Sequence, residues 1–180
     1  MDPLDGTKEF LKKNKEFTVN IALIEKNKPV LGVIYAPAIF ELFYASFNNG
    51  SFKIVTKKKI NSINRSIKIK SNKKNKNDSL KILGSRSHSN SKFNKWISDN
   101  FNNYKIIQKG SSIKYCYIAE GKADLYIRFG STSEWDIAAG DIILTEAGGN
   151  LKTIDNKKIF YNKKESVINP HFIASCNMKL

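Results

Sequence analysis

Cysteine is scarce in this chain. The two residues present, Cys116 and Cys176, form no C-x-x-C pair. That excludes a disulfide framework and a dithiol redox motif, and both thiols are expected as small core residues in a reducing compartment. Histidine is equally sparse, and two histidines with two scattered cysteines do not assemble a zinc site. Long apolar runs are missing too. The longest nearly apolar stretch, Val30 to Phe40, is broken by Gly32 and Pro37 and is too short to cross a bilayer. No basic segment followed by an apolar run opens the sequence, so no secretory signal is read there. Acidic residues are also few, 16 against 31 Lys and Arg, for a formal charge of +15. Such an excess suits an anionic partner: nucleic acid, a phosphorylated small molecule or a membrane surface. It also follows from a plain compositional bias, because Lys, Asn and Ile are crowded together throughout. The densest basic stretch, Thr56 to Asp78, holds nine Lys or Arg and no Phe, Tyr or Trp. Proteins that bind single strands interleave stacking aromatics with their charges. Nucleic acid is therefore not expected as a partner, and the stretch is expected to be a solvated ribbon or loop.

What is present suffices for a globular chain: 180 residues, 41% hydrophobic and 11% aromatic. Thr7 to Lys13 reads as one or two helical turns. "FTVNIALI" (Phe17 to Ile24) is β-rich and apolar at nearly every position, which predicts a strand buried on both faces. "VLGVIYA" is a strand stopped by Pro37, "ELFYASF" is another, and Asn48-Asn49-Gly50 signals a hairpin into "SFKIV". The second half alternates: a strand at Lys81 to Leu83, a helix at Ser91 to Phe101, the strand "YKIIQKG", a helix at Ile113 to Glu120 with Ser112 as N-cap, and the strand "ADLYIRF". A helix at Trp135 to Ala147, capped by Gly148-Gly149, is followed by the strands "NLKTID" and "HFIASC". The chain thus divides into a meander over residues 1–80 and an alternating α/β portion over residues 81–180.

Two stretches carry candidate chemistry. In "DPLDGT", Pro3 stiffens the loop and disfavours helix at Asp2. Asp2 and Asp5 can then converge, with the Leu4 carbonyl between them as a third oxygen. Hard oxygen ligands without His or Cys suit Mg²⁺. Gly6 permits a sharp turn and Thr7 offers a hydroxyl at the start of the next helix. The plainer alternative is a solvated Asp-Pro turn with an aspartate cap. In "SEWDIAAGDIILTEAGG", Asp136 lies near a helix N-terminus, where backbone N–H groups favour anions; it could equally do no more than balance the helix dipole. The small residues Ala138, Ala139 and Gly140 let that helix approach a neighbour closely. Trp135, Ile142, Ile143 and Leu144 are expected in the core.

Taken together, these stretches resemble the paired signatures of the inositol monophosphatase-like superfamily, D-P-[ILVM]-D-G-[TS] and W-D-x-x-[AG]-[AG]. "DPLDGTKEFLKKNKEFTVNIALI", "SRSH", "GSSIKYCYIAEGKADLYIRFG" and "EWDIAAGDIILTEAGG" resemble its CysQ-type branch, the 3′(2′),5′-bisphosphate nucleotidases. The resemblance implies a layered α/β sandwich. It also implies that a further segment, with two helices, a β-hairpin and a Glu-Glu loop, precedes "DPLDGT" in the family, so this chain looks like the C-terminal part of such a protein without the N-terminal helical layer and first strands. By the same resemblance, Asp2, the Leu4 carbonyl, Asp5 and Asp136 hold Mg²⁺. Thr7 orients the attacking water, paired with a glutamate from the preceding segment, and Asp5 shares in catalysis. Gly6 and Thr7 offer backbone N–H groups to phosphate. Ser111, Lys114, Arg128 and Asp136, and more weakly Ser87 and His88, contact the nucleotide. The implied reaction is Mg²⁺-dependent hydrolysis of adenosine 3′,5′-bisphosphate to AMP and phosphate, in support of sulfur assimilation. Alternatives are a phosphatase for inositol phosphates or another small phosphomonoester, and an inactive truncated fragment. The implied partner is a small nucleotide bisphosphate and the implied location the cytoplasm, with peripheral attachment to the inner face of the plasma membrane and the oligomeric state left open.

Overall fold

Lys26 and Asn27 both have positive φ, as do Asn48 and Gly50, and the chain reverses at each pair. The Lys26-Asn27 loop has two residues, both with φ above zero, which matches the right-handed twist of the strands it joins, while three residues, Phe47 to Asn49, separate the paired Ser46 and Gly50. The first half is accordingly one antiparallel sheet. The structure, a computed structural model, describes residues 1–57, 65–86, 91–163 and 165–178. Six strands, β1 (Asp2–Asp5), β2 (Thr18–Glu25), β3 (Lys28–Ala36), β4 (Glu41–Ser46), β5 (Gly50–Val55) and β6 (Ile67–Ile69), lie in sequence order. A short helix α1 (Thr7–Leu11) connects β1 to β2. The basic stretch is therefore not loop throughout: Ile67–Ile69 pairs with β5, and Ile69 is buried.

The second half forms a separate five-stranded sheet from β7 (Leu80–Ser85), β8 (Tyr104–Lys109), β9 (Leu125–Arg128), β10 (Asn150–Thr153) and β11 (Phe172–Ser175), in the order β10-β11-β9-β7-β8. β7 runs parallel to β8 and β9, and the β9-β11-β10 pairings are antiparallel. The parallel pairs need crossovers. Helices α2 (Ser91–Asn100) and α3 (Ile113–Ala119) lie in them, and α4 (Glu134–Glu146) follows β9. α4 packs on β2 to β5 of the first sheet, on α3 and on β10, while α3 packs on β9 and β11. Sheet, helix pair and sheet are thus layered, the α/β sandwich expected. One apolar cluster runs through all three layers, from Ile34 and Phe43 through Ile137, Ile143, Tyr115 and Cys116 to Leu125 and Phe172. The close approach of the helix pair depends on Gly140, because a Cβ there would collide with the Tyr115 ring. At the other end of α4, the N–H groups of Gly148 and Gly149 donate to the carbonyls of Thr145 and Leu144, closing the helix as foreseen. Both cysteines are buried and free.

Other expectations need correction. Asp2–Asp5 is not a loop but strand β1, paired with β2. β2 is not buried on both faces: Asn20 is buried, but Ile21 and Leu23 are 44% and 58% exposed. α4 covers one face of the sheet, and successive side chains in a strand point to opposite faces. Trp135 is 45% exposed and not in the core, because it sits on the first turn of α4, ahead of the buried Ile142, Ile143 and Leu144. Ser112 occupies the N-cap position of α3 but makes no side-chain cap. Its hydroxyl is engaged elsewhere, as described below.

Candidate metal and phosphate site

Asp2 and Asp5 are three residues apart, and in a regular strand they would face opposite sides of the sheet. The register shows how they come to face one way. Asp2 pairs with Asn20 and Asp5 with Thr18, so β1 carries one residue more than β2 between those points. Such a bulge restores a common side. β1 is an edge strand, which accommodates Pro3 without loss of a ladder hydrogen bond. Leu4, between the acids, donates its N–H to Asp2 Oδ1 at 3.0 Å. The third acid comes from the far half of the sequence. Asp136, on the first turn of α4, accepts a hydrogen bond from the Ser133 N–H at 2.7 Å. One carboxylate oxygen from each of Asp2, Asp5 and Asp136 lies within 4.8 Å of the other two.

These acids crowd one another. Burial, then the proximity of Asp5 and Asp2, pushes Asp136 up to about 6 against the pull of the Ser133 N–H. Burial and Asp5 likewise raise Asp2. The buried cation nearby does not relieve them by pairing. Lys114 Nζ donates to the Ser111 carbonyl at 2.7 Å and the Lys109 carbonyl at 3.4 Å, and it sits 5.0 Å from the centre of the Tyr126 ring. Burial lowers its pKa to about 8, with Asp5 acting the other way. A converging, all-oxygen, net-negative donor set of this kind fits a hard divalent cation such as Mg²⁺.

A cavity of about 230 Å³ opens beside the acids. Asp5, Gly6, Thr7, Ser111, Lys114, Arg128 and Asp136 all line it. Asp2 and Leu4 stand on β1 outside that lining, and Ser87 and His88 lie outside the described residues. Gly6, at φ +85°, turns the chain from β1 into α1 in a conformation that L side chains rarely adopt, and a Cβ there would also crowd Ser111. Arg128 donates Nη2 to the Ser131 carbonyl at 3.3 Å, while its buried Nε has no hydrogen-bond partner among the described residues.

Sequence reasoning missed the shell that holds Asp5. Its Oδ2 accepts from the Ser112 N–H, from Thr18 Oγ1 at 3.4 Å and from Asn20 Nδ2 at 3.5 Å. Ser112 Oγ in turn donates to Asn20 Oδ1 at 2.7 Å and lies 2.7 Å from Thr18 Oγ1. A signal for part of this was present: Thr18 and Asn20 are the polar residues inside an otherwise apolar strand, both pointing inward. Tyr115 and Tyr126, which also line the cavity, carried no such signal.

The sequence profile described as the inositol monophosphatase family matches residues 1–178. The chain belongs to that family. Among curated relatives in the family, it is 41% identical over 172 residues to the 3′(2′),5′-bisphosphate nucleotidase CysQ of Salmonella typhimurium, covering 96% of this chain and 65% of that protein. It is 43% identical over 180 residues to the CysQ nucleotidase of Buchnera aphidicola, covering 97% and 63%. It therefore spans a little under two thirds of the length of these relatives. Among solved family structures, CysQ from Bacteroides thetaiotaomicron superposes with a TM-score of 0.88 at 39% identity, over 99% of this chain and 69% of that one. An inositol monophosphatase from Anabaena superposes at 0.76 with 26% identity, over 98% and 67%. Among the described residues, no helix is long and apolar enough to cross a membrane.

Proposed function

We propose that this chain carries the cation- and phosphate-binding part of a Mg²⁺-dependent phosphatase for adenosine 3′,5′-bisphosphate, releasing AMP and phosphate in the cytoplasm in support of sulfur assimilation. The observation that carries this reading is the convergence of Asp2, Asp5 and Asp136 at a cavity that Lys114 and Arg128 also line. The two nucleotidases above, named for bisphosphate substrates, support the substrate class.

Asp2, Asp5 and Asp136 would hold Mg²⁺, together with the Leu4 carbonyl. When bound, Mg²⁺ supplies Lewis-acid stabilisation of the charge that builds on the transferring phosphoryl group and acidifies water. The chain's own residues do the rest. Gly6 and Thr7, which line the cavity at the start of α1, would offer backbone N–H groups to phosphate, and the Thr7 hydroxyl would orient water. Lys114, poised near 8 but still mostly protonated at neutral pH, puts a fixed positive charge in the wall. Arg128 adds a second positive charge to the lining. Two cations in the same cavity as the acids suit a substrate with a second phosphate, and Tyr115 and Tyr126 give the lining aromatic surface. Ser111 contributes a hydroxyl, and Ser87 and His88 stay assigned to the ribose or base end.

A substrate panel tests this: phosphate release from adenosine 3′,5′-bisphosphate, inositol 1-phosphate and fructose 1,6-bisphosphate, with and without Mg²⁺ and Li⁺. Preference for the nucleotide, dependence on Mg²⁺ and inhibition by Li⁺ are expected. Lys114→Met and Arg128→Ala should raise KM for the nucleotide more than for a small monoester, since they would bind its remote part. Equal effects on both substrates would remove them from the nucleotide site.

A further inference from the structure

Glu16 takes no part in the acid cluster, yet several donors converge on it. It lies between α1 and β2 and is 7% exposed. Arg86 donates Nε to Oε2 at 2.9 Å and Nη2 to Oε1 at 3.0 Å. Lys109 Nζ donates to Oε1 at 3.1 Å, and the Gly110 N–H donates to Oε2 at 2.8 Å. Burial opposes ionisation of Glu16, but these donors outweigh it and hold its pKa at about 2. A carboxylate with both oxygens saturated in this way is a rigid, charge-assisted anchor.

The anchored residues lead straight to the acid cluster. Arg86 follows β7, and Lys109 ends the parallel neighbour β8. Gly110 is packed so closely on Glu9 that a Cβ would collide with that side chain. Ser111 has φ +41°, in the left-handed region that a non-glycine residue enters only when its surroundings enforce it. Ser112 then donates its N–H to Asp5 Oδ2. Glu16 and Asp5 thus grip the two ends of one three-residue turn.

We propose that Glu16 is a positioning residue for the acid cluster: by holding Gly110 and Lys109 it keeps the turn of residues 110–112 in its left-handed conformation, which sets the Ser112 N–H on Asp5 Oδ2 and commits the other Asp5 oxygen to the cation. The inference rests on the proposed function in one respect, that Asp5 holds a divalent cation. Its effect is that of an outer partner that orients a ligand, where loss typically weakens metal affinity about 10–100-fold. Lys109 links the two roles of the turn, since its side chain binds Glu16 while its carbonyl accepts from Lys114. Strain in the turn would therefore reach Lys114 as well as the acids.

The test uses the 180-residue chain with Mn²⁺ as the probe, its binding followed by electron paramagnetic resonance, and amide hydrogen exchange at Gly110 and Ser112 followed by NMR. Glu16→Gln is expected to speed exchange at Ser112 at least about tenfold and to weaken Mn²⁺ binding about 10–100-fold at a temperature where the variant is fully folded. Arg86→Met removes a donor whose side chain is 46% exposed, so it retains the fold even if Glu16→Gln does not; both readouts should move the same way by a smaller factor. Unchanged exchange at Ser112 in both variants overturns the inference. Faster exchange with unchanged Mn²⁺ affinity overturns it as well, because the anchor would then be purely structural. Asp5→Asn separates the two levels: if it leaves Mn²⁺ binding intact, the assignment of the cation to this cluster falls, and the commitment of Asp5 to the cation falls with it.

Discussion

In β11, Phe172, Ile173, Ala174 and Ser175 are all buried, whereas in β2 Ile21 and Leu23 stand exposed between inward-facing neighbours. Both runs are apolar and β-rich, and nothing in their residue types separates them. Their neighbours do. β11 lies between β10 and β9 under α3, and Phe172 packs its ring 5.9 Å from Tyr126 and 6.3 Å from Tyr115. β2 has α4 on one face, where Asn20, Ala22 and Ile24 point, and its other face carries Ile21 and Leu23 beside Leu31 of β3. Apolar surface stabilises a fold only where another element removes it from water. The two sheets are therefore unequal, the second built into the core on the strands of its centre, the first fixed chiefly through the face that meets α4.

That inequality can be broken by mutation. The largest effect is expected for Phe172→Ala, which should cost about 3–5 kcal/mol in urea unfolding, because it empties a fully buried aromatic site. Ile21→Ala should cost well under half of that; equal losses would mean that the outer face of the first sheet is also covered in solution. Next comes the seam between sheet and helix layer. Lys53 of β5 binds Glu41 of β4 at 2.7 Å and Glu120, just after α3, at 2.8 Å, and its pKa is raised because the two glutamates outweigh burial. Lys53→Met takes the shared cation from Glu41 and Glu120 in a poorly hydrated site, leaving Glu120 its ion pair with Lys122, and should cost about 3 kcal/mol. Adding Glu41→Gln and Glu120→Gln should recover most of the loss, and failure to recover would show that the packing of Lys53, not its charge, joins the layers.

A pH series sharpens the picture on the helix itself. Asp141 of α4 is buried and accepts a hydrogen bond from the Tyr161 hydroxyl at 2.7 Å; burial pushes it up to about 7 despite that bond. The folded state thus binds the proton more tightly than the unfolded chain, whose value is 3.8. The stability from this group is complete below about pH 4, falls as pH rises toward about 7, and is flat above. Asp141→Asn should abolish that fall, matching the wild type near pH 4 and exceeding it at pH 8 by on the order of 1–3 kcal/mol. A variant less stable than wild type at pH 8 would show that the ionised carboxylate is well solvated. The smallest effect is expected at the outer face: Leu23→Lys should change stability by no more than about 0.5 kcal/mol while reducing light scattering on concentration.

The sequence by itself determined the order of the other strands and the helices but not β1 and β6, which read as loop, because alternation, Pro37, the Asn48-Asn49-Gly50 turn and the Gly148-Gly149 cap act over a few residues, within reach of local backbone preference. It also marked Asp2, Asp5 and Asp136 as acids worth joining, through the two motifs that carry the family resemblance. What it could not decide were matters of distance and cover. Ile21 and Trp135 are apolar yet exposed, since exposure depends on which element packs opposite. The bulge that turns Asp2 and Asp5 to one side appears only in the pairing of β1 with β2. Thr18, Asn20 and Ser112 meet around Asp5, and Glu16 reaches Arg86 and Lys109, across separations of up to 107 residues between hydrogen-bonded partners. Such contacts form only when the two sheets and the α3–α4 layer close on one another, so only the tertiary structure could turn three acids in a sequence into one site.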